Sequence, residues 1–231
     1  MSGLDHGAAA ARGAAQAADR ILGASSDGID MEGHVEVVSR RIVYRGAVFA
    51  VEDMRLRLPL TEEARRAGLA AGGDGEGPVI RRQVLRHAPC VVMLVHDTVR
   101  DRYLVEREYR VGCDRFAHGL PAGLMDEGEG VQEAALRELA EETGVVPRAG
   151  AWRIDRVVDC WSSEGMADEL AHIMVIHMDA WDTVPTRPDP DEHVESAWVD
   201  WPTLRALPVT ASNSIIAIQH EELRRVRASA A

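Results

Sequence analysis

The chain of 231 residues has little cysteine, no apolar run of membrane length and no surplus of positive charge. Cys90, Cys113 and Cys160 are an odd set without C-x-x-C spacing, which fits neither a disulfide framework nor a zinc cluster and points to a reducing compartment. The opening stretch MSGLDHGAAAARGAAQAADRILG has no cationic start leading into an apolar segment, so no secretory leader is read there. Nothing approaches the roughly 20 apolar residues of a membrane span. These absences make the cytoplasm the expected location and leave no role for a membrane. A formal net charge of −12 argues against nucleic acid as a partner, which would need a basic surface. It leaves a phosphate substrate open, because bound divalent cations reverse the sign of a local site. No internal repeat is visible.

A hydrophobic content of 46% is enough for a buried core, and the length suits one domain with extensions. Residues 1–31 are rich in Ala, Gly, Asp and Ser; a disordered tail is favoured there over a short helix around Ala9–Leu22. Val35–Tyr44 and Ala47–Pro59 read as a hairpin turning at Arg45-Gly46, followed by a Gly-rich insertion over Thr61–Gly77. Residues 32–78 are therefore expected to form a small β subdomain, and 79–231 the main domain. In the latter, strands are expected over Val79–Arg86, Cys90–His96, Tyr103–Tyr109, Arg153–Asp159, Leu170–Met178 and Ser196–Val199. A helix over Val131–Glu142 closes at Gly144, a short one starts at Trp201, and a last one runs from a cap at Ser212 or Asn213 to about Arg227. Strands on both sides of one central helix, with another helix at the end, predict an α+β sandwich.

Chemistry concentrates in GLMDEGEGVQEAALRELAEETGV, Gly123 to Val145. Glutamates this dense need a cation or open solvent to absorb their repulsion. Residues four apart share a helix face, so Glu138 and Glu142 project together, with Glu141 beside Glu142 and one turn from Glu138. Leu136, Leu139, Ala135 and Ala140 are expected to pack into the sheet. Carboxylates are hard oxygen donors and suit Mg²⁺, with Mn²⁺ as a substitute, rather than zinc. A plainer reading is a solvated helix in which Arg137 pairs with Glu141 and Glu133.

The spacing decides between the two. Gly123, five residues, Glu129, seven residues, Arg137-Glu138-Leu139, one residue, Glu141-Glu142, one residue and Gly144-Val145 resemble the complete signature of the Nudix hydrolases. With residue frequencies of about 5% each, a chance match is on the order of 10⁻⁸ or less. The resemblance implies an α/β/α sandwich with a mixed central sheet and hydrolysis of a pyrophosphate linked to a nucleoside. It implies Glu138 and Glu142 as metal ligands, Glu141 as a further ligand or water-orienting base, and the Ala122 carbonyl as another metal contact. Glu129 and Arg137 would brace loop and helix by a charge-assisted hydrogen bond, and Gly123 would allow the tight turn.

The flanks resemble the ADP-ribose pyrophosphatase group. Leu104–Arg110 followed by Leu120-Pro121-Ala122-Gly123 is similar to its R-Q-Y-R … E-L-P-A-G arrangement, which implies a phosphate contact for Arg110. Ser162–Glu169 resembles its S-P-G-x-x-x-E segment without the proline, which brings Glu169 forward as a substrate residue. Asp189–Glu195 resembles a loop whose glutamate, here Glu192, is a metal ligand or catalytic base. Members of that group place an N-terminal sheet before the core, often exchanged within a homodimer, and an arginine from it reaches the partner's site; Arg81 or Arg82 matches. Gly119 departs from the pattern, standing where the group usually carries a glutamate. No N-terminal tryptophan is present to stack an adenine, and Tyr44 and Phe49 read as core residues. The implied substrate is ADP-ribose or a related nucleoside diphosphate sugar. Other nucleotide sugars, NADH and oxidised nucleotides remain alternatives, as does a non-catalytic nucleotide sensor.

Overall fold

The computed structural model describes residues 27–68, 76–187 and 193–230, together with Gly13, Ala18 and Leu22. The chain divides into two units: residues up to Arg45 with Val51–Val84, and Gly46–Ala50 with Leu85–Ala231. The rest of residues 1–26 and the centre of the Gly-rich insertion lie outside the described residues, so the Ala9–Leu22 segment is described only at Gly13, Ala18 and Leu22.

The first unit is a three-stranded sheet in the order β1 (Glu36–Arg45), β2 (Ala50–Arg57), β3 (Val79–Arg86). Two expectations are corrected here. Val79–Arg86 is a strand as read, but it pairs into this sheet and not into the main one, and its last two residues group with the second unit. Period-2 alternation identifies a strand without saying which sheet it joins. Order also begins before residue 32: Ile29 bridges Leu60 and is buried with Leu60 and Ala64 of α1 (Glu62–Arg66). Thr61 caps α1, its hydroxyl accepting from the Ala64 N–H at 3.2 Å. Every residue of β1 is exposed, and Tyr44 and Phe49, read as core, are exposed as well.

The second unit is an α/β/α sandwich around a seven-stranded mixed sheet. Its main order is β12 (Glu195–Asp200), β5 (Arg102–Arg110), β4 (Cys90–Asp97), β10 (Leu170–Met178), β9 (Trp152–Trp161). β4 runs parallel to β10, and the remaining pairs are antiparallel. β4 is buried over its whole length, as a central strand covered on both faces must be. Val91, Met93 and Val95 face one core with Ala134, Ala135 and Leu139 of α2 (Val131–Thr143). Cys90, Val92 and Leu94 face the other, with Leu204 of α3 (Trp201–Ala206) and Ala217 of α4 (Ser212–Ser229). On α2 the buried apolar positions are Ala134, Ala135 and Leu139; Leu136 and Ala140 are only partly buried, contrary to expectation. Asp200 caps α3, while α4 starts after Ala211 with no side-chain cap, so neither Ser212 nor Asn213 fills that position.

Short strands were not apparent from pattern alone. β4 and β5 pair only from Val95 to Asp97 against Leu104 to Arg102, then part. β6 (Arg115–Gly119) pairs with β5 in the gap, and β7 (Ala122–Leu124) pairs with β4. Leu120-Pro121 crosses the fork, with Pro121 O accepting from Met93 N at 2.9 Å. β8 (Val145–Pro147) and β11 (Trp181–Thr183) form a separate two-stranded ladder. Among the described residues, no helix is long and apolar enough to cross a membrane.

Candidate active site

The fork delivers Ala122 and Gly123 to the side of α2. The connection into the helix turns at Gly128, whose φ of 81° suits a residue without a Cβ, and α2 ends at Gly144 in the left-handed region with φ 70°. Three contacts then tie loop to helix. Arg137 Nε and Nη2 donate to the two carboxylate oxygens of Glu129 at 2.8 and 2.9 Å, a bidentate pair. Nη2 also donates to Leu124 O at 2.9 Å, and Glu129 accepts from the Asp126 N–H at 3.0 Å. Glu142, 9% exposed, accepts from the Ala122 N–H at 3.3 Å. A Cβ on Gly123 would overlap the Glu138 carboxylate, so this glycine makes room for a functional group as well as for a turn.

Arg137 organises the charge. Its Nη1 donates to Glu138 at 2.8 Å and to Glu141 at 3.0 Å, so one guanidinium hydrogen-bonds three carboxylates. Hydrogen bonding from Arg137 holds the Glu129 carboxyl at about 2, well below its ordinary value, and the same contacts raise the guanidinium further above its own. Exposure grades the group: Glu129 and Glu138 side chains are 9% and 13% exposed, and Glu141 is 43% exposed. Glu129 is thus enclosed against its arginine, and Glu141 reaches solvent.

The other candidate residues are more scattered. Arg110, at the end of β5, is exposed and pairs with Glu108 at 2.7 Å. Glu169 lies beside His87, 3.4 Å from its Nδ1, in the bend before β10. Its neighbour Asp168 holds Arg86 and the His87 N–H, each at 2.9 Å. Arg81 pairs with Asp53 at 2.7 Å, and Arg82 donates to the Arg81 carbonyl, both within the first unit. Glu192 lies outside the described residues.

A divalent cation fits the donor set. Glu138, Glu141 and Glu142 offer hard oxygens on adjoining positions of one helix, and the space over Gly123 is reserved for a carboxylate. Among the described residues, no three His, Cys, Asp or Glu side chains stand gathered as a ready ligand cage. Glu138 and Glu141 are instead turned onto Arg137.

The NUDIX domain profile matches residues 86–217, more than half of the chain, and the chain belongs to that family. It is 28% identical to the ADP-ribose pyrophosphatase of Bacillus subtilis over 99 residues, 43% of this chain and 51% of that protein. It is also 28% identical to the ADP-ribose pyrophosphatase of Escherichia coli K12 over 152 residues, 63% of this chain and 65% of that one. The chain thus spans about half to two thirds of the length of these curated relatives. A crystal structure of an ADP compounds hydrolase shares the fold, with a TM-score of 0.60 at 20% identity over 83% of this chain and 95% of that chain.

Proposed function

We infer that the protein is a Mg²⁺-dependent pyrophosphohydrolase acting on ADP-ribose or a related nucleoside diphosphate sugar. The observation that carries this reading is the braced loop and helix: Glu129–Arg137 fixing the turn, Gly123 making room for Glu138, and Ala122 tied to Glu142. Glu138, Glu142 and the Ala122 carbonyl would hold the cation. When bound, it supplies charge neutralisation of the pyrophosphate and acidification of water near neutral pH. Glu141, the most exposed of the set, would orient the attacking water and accept its proton. The water oxygen bonds to one phosphorus, the bridging P–O bond breaks, and a nucleoside monophosphate and a sugar phosphate leave. Arg110 supplies an exposed guanidinium for the substrate phosphates; Glu169, Glu192 and the partner's arginine complete the assignment.

Mn²⁺ would substitute, having the same preference for oxygen donors. The exposed β1, carrying Val37, Val38, Ile42, Val43 and Tyr44 at the surface, supports a homodimer through exchanged N-terminal strands, since an open edge is a template for pairing. Three free cysteines support a cytoplasmic setting. The test is a substrate panel with Mg²⁺ and Mn²⁺ and products resolved by ion-exchange chromatography. ADP-ribose and its close analogues should give a monophosphate and a sugar phosphate; preferential turnover of NADH or an oxidised nucleotide would redirect the substrate.

A further inference from the structure

We propose that Trp161, at the end of β9, is the platform on which the nucleoside base of the substrate stacks. The proposal rests on the pyrophosphohydrolase reading above and adds a place for the base. Its first support is register. Gly123 of β7 lies opposite Val91 of β4, Val91 opposite His172 of β10, and His172 opposite Asp159 of β9, one row across four strands. Directly paired residues share a face of the sheet, and Val91 lies in the core under α2. The row therefore stands on the α2 face, where the Glu138 carboxylate occupies the space over Gly123. Trp161 is two residues beyond Asp159 and opposite Leu170, past the one register shift of this pair at Ile173/Met174, so it shares that face. With strands about 4.8 Å apart and a rise of about 3.3 Å per residue, its Cα is about 16 Å from that of Gly123. A nucleoside diphosphate bound at Glu138 can bridge that span.

The second support is where this face opens. Met174, Ile176 and Met178 of β10, with Trp152 and Ile154 of β9, pack into the core on the α2 side. Towards Gly123 the covering ends: His172 is half-buried, and Asp159 and Trp161 are exposed. The polar pair is fixed in place, His172 Nδ1 lying 2.9 Å from Asp159, which also accepts from Arg156 at 2.8 Å. The third is the indole itself. Trp152 packs against the α2 core, Trp181 and Trp198 stack on each other, and Trp201 lies against Tyr103. Among the described residues, which include all five tryptophans, Trp161 is the exposed one, at 55%. The exposed aromatic pair Tyr109 and Phe116 stands on the opposite face, in line with Tyr103 and Val105. An open indole offers a base a flat π surface, so the base stacks there while the pyrophosphate meets the cation held by α2.

The experiment measures steady-state turnover of ADP-ribose with Mg²⁺, and calorimetric binding of AMP and of ribose 5-phosphate, in the full chain. Trp161→Ala should raise the KM for ADP-ribose about tenfold or more with kcat changed by less than about twofold. It should weaken AMP binding by a similar factor and leave ribose 5-phosphate unaffected. Trp161→Phe, which keeps an aromatic face, should recover most of the affinity. AMP should also quench part of the tryptophan emission of the wild type and none of it in Trp161→Phe. Unchanged KM and AMP affinity in Trp161→Ala, or a loss confined to ribose 5-phosphate, overturns the platform while leaving the hydrolase reading standing. Failure of the wild-type chain to turn over ADP-ribose or to bind AMP overturns both.

Discussion

Two places in the second unit collect acids and arginines, and they do opposite things with them. Beneath α4, Glu221 is fully buried, accepting from Tyr103 OH at 2.5 Å and from Arg224 at 2.6 and 2.7 Å. Tyr103 stacks on His96, which faces His177 at 3.0 Å and Asp101 at 3.0 Å, and Arg225 grips Asp101 and lies over Trp201. Burial lowers both histidines, His177 to about 4, so the imidazoles are held neutral beside the buried Glu221–Arg224 ion pair. At the α2 site the charge is graded outward instead, from enclosed Glu129 to exposed Glu141, around one arginine. Charge density is shared by the two places; what differs is the carboxylate at the centre, since Glu221 is shut off from solvent and Glu141 is not. A buried Glu221 fixes the packing of α4 on the sheet, and an exposed Glu141 can exchange its arginine contact for a ligand.

This contrast predicts that function and stability separate by site. Glu142→Gln should lower turnover by about 10³-fold, roughly 4 kcal/mol of transition-state stabilisation, with the thermal midpoint nearly unchanged. Near wild-type turnover would remove Glu142 from the metal set. Glu221→Ala should do the reverse, costing about 3–5 kcal/mol in urea unfolding because Arg224 and Tyr103 lose a buried partner, with turnover of the folded fraction intact. A turnover defect at full folding would mean the two networks communicate.

Arg137→Gln should fall between these, with turnover down about 10- to 100-fold through loss of bracing. It also has a pH signature. Glu129 is held at about 2 against 4.5 unperturbed, so its contribution to stability is present above about pH 4.5 and lost as pH falls towards 2. In Arg137→Gln the Glu129 carboxyl should titrate close to its ordinary value, read by carboxyl-carbon NMR. An unchanged Glu129 would assign its shift to another cause.

The same contrast explains what could be read in advance. The α2 site lies within Gly123–Val145, where helical spacing made the Arg137–Glu141 pair legible and the family resemblance implied the Glu129–Arg137 brace, while the Arg137–Glu138 contact was not read. Tyr103 and Glu221 are 118 positions apart and meet only because β5 and α4 share a core, which no local pattern encodes. β6 and β7 were equally hidden: segments of five and three residues are strands only because β4 and β5 part to receive them. The place of Trp161 was hidden for the same reason, since the row beside it joins four strands. The mixed sandwich and its central helix, by contrast, follow from long apolar runs such as Leu170–Met178, whose bounds match the observed strand.

The central claim is that the braced α2 site hydrolyses a nucleoside diphosphate sugar. Its most direct test is a ³¹P NMR time course of ADP-ribose with the full chain and Mg²⁺. The account predicts that the pyrophosphate resonances give way to two phosphomonoester signals, those of AMP and ribose 5-phosphate, and that chelation of Mg²⁺ stops the conversion. Persistence of the pyrophosphate resonances while ADP-ribose is bound would contradict it and make the protein a binder instead of a hydrolase.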